Sequence, residues 1–241
     1  MALISDYKKK ADSKYGTVFG TDSEVSGMLA DLITAAHSTK IKNGNELEDI
    51  LQETSRYEKK CYGNKKINEK IRKEIAELKE TAVITKLKVP TGHKKDGKNE
   101  VAAIDNIKVL PSEKMIFLTE IKDGDNFDTK KVKGEEEKLE RAVAKAQKLF
   151  PGWKVEPRFI LFCRKEGDRS SIPSDFSALY KTNGWILDGD TGAAFLGTSR
   201  AKVDLSRSTD QEQNVECAAN ICLRIVEAAG LSAPKAEEVV Q

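Results

Sequence analysis

The spacing of apolar residues changes after residue 80, from the 3.6-residue period of a helix to the two-residue period of strands. Residues 65–80 carry one apolar stripe at helical spacing, formed by Ile67, Ile71, Ile75 and Leu78. The patterned segments that follow are three strands, one helix and one nearly all-apolar strand, at 83–89, 100–110, 114–122, 135–149 and 158–163. This order of helix, three strands, helix and strand predicts an α/β sandwich core.

Helical patterns also precede and follow this core. Two amphipathic segments, at 22–38 and 45–59, predict a helical region over residues 1–64 that packs on the core. After the core, a short helix, a short strand and a last helix are predicted at 174–182, 184–188 and 210–229, the last beginning at the capping box Thr209-x-x-Glu212. We expect one compact domain, in which 65–230 holds the core and its C-terminal elaboration and 231–241 is a frayed tail.

The scarcity of histidine and the spacing of cysteine argue against several classes of site. The 241 residues include two histidines, His37 and His93, too few to favour histidine-based zinc sites or a Ser/His/Asp hydrolase. The four cysteines form no C-x-x-C pair, and the phosphate-binding motif Gly-x-x-x-x-Gly-Lys-[Ser/Thr] is absent. Carboxylates and lysines are plentiful, so the pattern favours a site built from these groups.

The distribution of apolar and basic residues bears on partners and location. No stretch approaches the ~18 apolar residues of a membrane span, and the N-terminus lacks the pattern of a secretory signal, so we expect a cytoplasmic protein with no membrane partner. Residues 59–73 hold seven basic residues against one acid, Glu69. Such a cluster either contacts phosphates or forms a solvated helix face.

The residues that indicate chemistry lie in the predicted hairpin of 100–110 and 114–122. Side chains alternate along a strand, so Glu120 and Lys122 share a face, and Asp105 is the only charged residue on a face with Val101, Ala103, Ile107 and Val109. If Leu110 lies opposite Met115, then Asp105 lies opposite Glu120, with Cβ atoms about 5 Å apart. A shift of one residue would instead send the two carboxylates to opposite faces.

Two carboxylates at this distance repel each other unless a positive charge lies between them. Oxygen ligands of this kind suit Mg²⁺, which prefers one or two carboxylates with water and substrate phosphate as its remaining ligands. A neighbouring lysine could orient water or stabilise charge on the reacting phosphate. The arrangement therefore predicts a site for phosphodiester hydrolysis. The alternative is a surface triad of ordinary salt bridges on a solvated sheet face.

The sequence resembles the PD-(D/E)XK nucleases in its order of elements and in one pattern of charged residues. That pattern is Asp105, fourteen intervening residues and then Glu120-x-Lys122. The resemblance covers about 100 residues, 65–163, and Ile104 stands where that family's motif has proline. It implies a restriction-endonuclease-like core, a mixed sheet flanked by helices. It also implies Mg²⁺ ligands from Asp105, Glu120 and the Ile121 carbonyl, with Mn²⁺ as a substitute, and a catalytic role for Lys122. A third acid from the 65–80 helix, with Glu74 and Glu77 as candidates, is left open, because each is also expected to face solvent.

By this resemblance we expect a Mg²⁺-dependent DNA endonuclease, most like a type II restriction endonuclease that cuts a short palindromic duplex site as a homodimer. Two alternatives remain open. One is a junction-resolving or repair nuclease of the same fold, and the other is a non-catalytic nucleic-acid or protein-binding module that retains the fold. Nothing in the sequence specifies the recognition site, the cleavage pattern or the oligomeric state.

Overall fold

The computed structural model describes residues 24–93, 99–123, 129–163 and 176–230. The chain divides into two compact units, one of Met1–Glu46 with Asp204–Gln241 and one of Leu47–Val203. The larger unit contains the sheet and all the predicted site residues. The predicted frayed tail at 231–241 lies outside the described residues.

A six-stranded mixed sheet forms the larger unit, in the order β1-β2-β3-β4-β5-β6. The strands are β1 (Glu58–Lys66), β2 (Ala82–His93), β3 (Asn99–Leu110), β4 (Met115–Lys122), β5 (Lys154–Leu161) and β6 (Ile186–Asp188). The central strands β2, β3 and β4 are antiparallel to one another, whereas β1 runs parallel to β2, and β4, β5 and β6 are mutually parallel. The α/β prediction is thus confirmed at the level of a mixed sheet with flanking helices.

Six helices accompany the strands in the described part of the chain. They are α1 (Glu24–Thr54), α2 (Glu69–Ala76), α3 (Thr129–Leu149), α4 (Ala178–Thr182), α5 (Gly189–Phe195) and α6 (Arg200–Ala228). The order α2, β2, β3, β4, α3, β5 agrees with the predicted order of helix, three strands, helix and strand. Within the described ranges, no helix combines the length and apolar character needed to cross a membrane.

Two hydrophobic clusters fill the two faces of the sheet, because the strands carry apolar side chains on both sides. One cluster joins α2 and α3 to the sheet through residues such as Ile71, Leu118 and Leu139. The other holds the end of α1 and helix α5 through residues such as Leu51, Ile121 and Ala193. Strands β2, β4 and β5 contribute residues to both clusters, and the end of α1 and helix α3 reach the sheet from opposite faces.

The predicted pairing of β3 with β4 is confirmed. Leu110 lies opposite Met115, and the same register continues to Asn106 opposite Thr119. A short 3₁₀ turn, Pro111–Glu113, joins the strands, and Lys114 closes it in the left-handed region at φ 48°. The tight connection leaves little freedom for a slip in register.

The predicted side-chain alternation of β3 is interrupted at Asp105. Ala102 and Ile104 lie in the same hydrophobic cluster as Ile107 and Val109, although strict alternation would separate the two pairs. The expectation that Val101 and Ala103 share a face with Asp105, Ile107 and Val109 is therefore wrong, whereas Ile107 and Val109 do share their face with Ile116 and Leu118 of β4.

The interruption has a counterpart on β2. The register of β2 and β3 pairs Thr85 with Asn106 and Leu87 with Ile104, so Lys86 faces Asp105. Lys86 has φ 54°, a left-handed conformation that is uncommon for a residue other than glycine. A local kink in both strands thus sets Asp105 apart from the regular ladder.

Several predicted boundaries are wrong. The helix expected at 45–59 is the end of α1, a single helix from residue 24, and it stops at Thr54. Residues 58–66 form strand β1, so the expected helical region of 1–64 ends in a strand of the sheet, and the basic cluster lies on β1 and α2 rather than on one helix. Helix α6 begins at Arg200, so Thr209-x-x-Glu212 lies inside it and is not a cap.

Candidate active site

Asp105 and Glu120 come together at the end of the β3–β4 ladder. Continuing the register by one residue beyond Asn106 and Thr119 sets Asp105 opposite Glu120. The Asp105 Oδ2 atom accepts a hydrogen bond of 2.7 Å from the backbone N–H of Ile121. Because the N–H and C=O of one strand residue point to the same neighbouring strand, the Ile121 carbonyl also points towards β3.

Glu120 is buried, and two lysines neutralise it. Its side chain is 3% exposed. Lys122 donates to Oε1 and Lys138 of α3 donates to Oε2 at 2.8 Å. Both lysines also contact Glu135 of α3, Lys138 at 2.5 Å and Lys122 at 3.4 Å. The predicted neighbours Glu120 and Lys122 thus belong to a closed ring of two acids and two lysines that spans β4 and α3.

Helix α1 brings a further acid to the same place. Gln52 is buried and accepts from the Thr85 hydroxyl at 2.9 Å, while its amide donates to the backbone carbonyls of Val83 and Lys60. Asp49 pairs with Lys86 at 2.8 Å, at the kink opposite Asp105. These contacts fix the end of α1 on β1 and β2.

Glu48 precedes Asp49 and lies one helical turn before Gln52. Burial, followed by the negative charges of Glu120 and Asp49, raises the pKa of Glu48 to about 7. Burial, followed by Glu120 and Glu48, raises the pKa of Asp105 well above its ordinary value. The carboxyl groups of Glu48 and Asp105 therefore lie in an environment that disfavours their ionisation.

The charged groups around Asp105 and Glu120 form one cluster, and its negative and positive charges are unbalanced when every group is ionised. It contains five carboxyl groups and three lysine ammonium groups, namely Glu48, Asp49, Asp105, Glu120 and Glu135 with Lys86, Lys122 and Lys138. Two negative charges are left in excess, and one divalent cation would balance them. Among the described residues, no group of three or more His, Cys, Asp and Glu side chains is arranged to hold a metal ion. The donors at hand are thus the pair of facing carboxylates and the Ile121 carbonyl.

The chain is similar to a type II restriction enzyme. The curated relative, type II restriction enzyme HhaII of Haemophilus parahaemolyticus, is 28% identical over 213 residues, and the alignment covers 86% of this chain and 86% of the relative. No protein-family profile matches the chain, and no solved structure matches it.

Neither of the acids considered on the 65–80 helix joins Asp105. Glu74 accepts a hydrogen bond of 3.0 Å from the Tyr62 hydroxyl, and Glu77 is exposed at the end of α2. The acid that influences Asp105 is Glu48, together with Glu120. The sequence carried one usable signal for it, the spacing of Glu48 and Gln52 on one face of a helix. The face on which α1 docks was not visible in that pattern.

Glu48→Gln is expected to stabilise the metal-free protein at high pH. A carboxyl group with a pKa of about 7 in the folded state, against 4.5 ordinarily, binds more protons folded than unfolded, so its contribution to stability is present below pH 4.5 and is lost as the pH rises through 7. With allowance for its partial exposure, we expect a gain of about 1–2 kcal/mol at pH 8 and about a quarter of that gain at pH 5. Urea unfolding in chelator at both pH values measures it.

Glu53→Gln is the matched control for this experiment, since it removes an exposed carboxylate from the same helix. We expect no pH-dependent gain from it. An equal gain in both variants, or a Glu48→Gln gain that does not depend on pH, would contradict the assignment of Glu48 to the acidic cluster.

Proposed function

We propose that this chain is a Mg²⁺-dependent DNA endonuclease of the restriction-endonuclease-like fold, acting as a type II restriction enzyme. The observation that carries the proposal is the juxtaposition of Asp105 and Glu120 at the end of the β3–β4 ladder, with Lys122 on the Glu120 carboxylate. The similarity to a type II restriction enzyme over 86% of the chain supports it independently.

The residues present fit Mg²⁺. Asp105, Glu120 and the Ile121 carbonyl offer oxygen donors only, and Mg²⁺ is commonly bound in proteins through one or two carboxylates with several waters retained. When every group of the cluster is ionised, its carboxylates exceed its lysines by two negative charges, which favours binding of a divalent cation. When bound, the cation supplies Lewis-acid polarisation of a phosphoryl oxygen and lowers the pKa of nearby water. We propose that Mn²⁺ substitutes for it.

Lys122 acts in this proposal as a cation rather than as a base. Burial lowers the pKa of Lys122, but the charge and hydrogen bond of Glu120, with Asp105 and Glu135, outweigh burial and hold it above its ordinary value. The amine is therefore protonated at neutral pH. Its chemistry is to donate a hydrogen bond and to stabilise negative charge that develops on the scissile phosphate.

Basic residues on the edge strand β1 are suited to contact the DNA backbone. Lys65 and Lys66 are exposed and pair in register with Leu87 and Lys88 of β2, beside the kink at Lys86. Because Asp105 is two strands away, the lateral separation in the sheet is about 10 Å. Contacts of this kind position a duplex without reading its sequence. We propose that a homodimer presents two such sites to a palindromic duplex.

Digestion of a sequenced plasmid and of a sequenced phage genome tests the proposal. With Mg²⁺, the purified protein is expected to give discrete fragments whose ends map to one short sequence, and in chelator no cleavage. A four-way junction is incubated in parallel with linear duplex of the same sequence. Cleavage confined to the junction would replace the restriction assignment by a junction-resolving one, and no cleavage with Mg²⁺ or Mn²⁺ on any DNA would leave a binding module.

A further inference from the structure

Both oxygens of the Glu120 carboxylate are occupied by lysine amines. Lys122 takes Oε1, and Lys138 takes Oε2 at 2.8 Å. The Glu120 side chain is 3% exposed, so little room remains for water to replace either amine. A metal ion that binds Glu120 therefore shares an oxygen with one of the two lysine amines, whose positive charge opposes it at close range.

Lys138 is the amine better placed to leave. It comes from helix α3, whereas Lys122 lies two residues from Glu120 on the same face of the same strand. Lys138 has a second partner in Glu135 at 2.5 Å, and the corresponding distance for Lys122 is 3.4 Å. If Lys138 releases Glu120, it keeps its ion pair with Glu135 and is not left unpaired in a partly buried position.

We propose that Lys138 is a resident counter-cation of the active site, which holds Glu120 in the metal-free protein and withdraws to Glu135 when a divalent cation binds. The inference rests on the proposed function, because it takes Glu120 as a metal ligand. It assigns to α3 a part that the Asp105, Glu120 and Lys122 pattern does not include. Lys138 is a positioning residue here, since it acts on metal binding and not on the reacting atoms.

Competition between Lys138 and a metal ion predicts the direction in which metal affinity changes when the amine is removed. The Lys138 amine binds an oxygen of Glu120 that the cation would also bind, and its positive charge repels the cation across a few ångströms of partly buried protein. Removal of the amine should therefore tighten metal binding, whereas loss of a residue that merely supports the fold would weaken binding or leave it unchanged. We expect Lys138→Met to lower the dissociation constant for Mn²⁺ about tenfold.

Direct titration of Mn²⁺ without DNA measures this effect. Free Mn²⁺ is followed by electron paramagnetic resonance in the full chain and in Lys138→Met, Lys138→Arg and Lys148→Met. Lys148 lies on the same helix and is exposed, so its substitution removes the same charge from α3 away from the ring. We expect wild-type affinity in Lys148→Met and near wild-type affinity in Lys138→Arg, which keeps the charge. If Lys138→Met does not fold by circular dichroism, Lys138→Gln replaces it in the same titration.

Asp105→Asn separates the failure of this inference from the failure of the proposed function. Loss of Mn²⁺ binding in Asp105→Asn shows that the titrated site is the Asp105–Glu120 site. With that established, equal or weaker Mn²⁺ binding in Lys138→Met than in wild type would overturn the role of Lys138 and leave the nuclease proposal standing. Wild-type binding in Asp105→Asn would overturn the metal site itself, and the role of Lys138 with it.

Discussion

Asp105→Asn is expected to abolish Mg²⁺-dependent DNA cleavage, with a loss of at least ~10³-fold in rate and no loss of thermal stability. The loss follows because the substitution removes one of the two facing carboxylates. Stability is retained because an asparagine oxygen can still accept the 2.7 Å hydrogen bond from the Ile121 N–H. The Asp105→Asn substitution also removes a carboxyl group whose pKa is raised by burial and by Glu120, so less electrostatic repulsion remains in the folded state.

The experiment compares initial rates of plasmid cleavage at saturating Mg²⁺ with melting temperatures in chelator. Glu120→Gln is measured beside it and should lose cleavage to a similar extent. Glu137→Gln is the control, because Glu137 is an exposed carboxylate on α3 without a contact to the ring. Wild-type cleavage by Asp105→Asn would exclude this residue from the site, and a fall in melting temperature large enough to unfold it would make the loss of activity structural.

The hairpin that carries Asp105 and Glu120 was predictable because two local constraints agree. The connection at Pro111–Glu113 is short, which limits the registers that close the turn, and the run of apolar residues marks β4 as a buried strand. The order of elements from α2 to β5 was predictable for the same reason, since each element has its own period of apolar residues.

Strand β1 was not predictable from the same principle. It lies at the edge of the sheet with most of its residues exposed, so its sequence, rich in lysine, carries no alternation of apolar side chains. Charged residues on an edge strand also discourage pairing with another chain, which favours such a composition there. The kink at Lys86 and Asp105 was not predictable for another reason. Glycine or asparagine usually indicates a left-handed backbone position in a sequence, and here that position is occupied by lysine.

The wider acidic cluster depends on tertiary docking. Glu48 acts electrostatically on Asp105 only because Gln52 and Asp49 fix the end of α1 on β2. Lys138 reaches Glu120, and Glu135 reaches Lys122, only because α3 packs beside the end of β4. A sequence pattern locates residues on an element, whereas it leaves open which distant element packs against them. Three of the charged groups around Glu120 were therefore beyond the reach of spacing arguments.

Lys122→Met is expected to lower the cleavage rate by about 10²–10⁴-fold and to leave binding of duplex DNA in Ca²⁺ within a few-fold of wild type. The loss follows from removing an ammonium group that is protonated at neutral pH and lies beside Glu120. The fold should survive, because Glu120 keeps its ion pair with Lys138 at 2.8 Å and is not left as an unpaired buried charge.

Binding and cleavage respond differently to the two roles that Lys122 could have. A lysine that stabilises the developing charge of the reaction contributes to the cleavage rate and little to ground-state binding, so the rate falls while affinity stays. A lysine that anchors a phosphate contributes to both, and its loss should also reduce the dependence of binding on salt. Gel-shift titrations in Ca²⁺ at two salt concentrations, with Lys148→Met as the control, measure this. A parallel fall of affinity and rate in Lys122→Met would assign the amine to DNA binding, and full cleavage activity would remove it from the site.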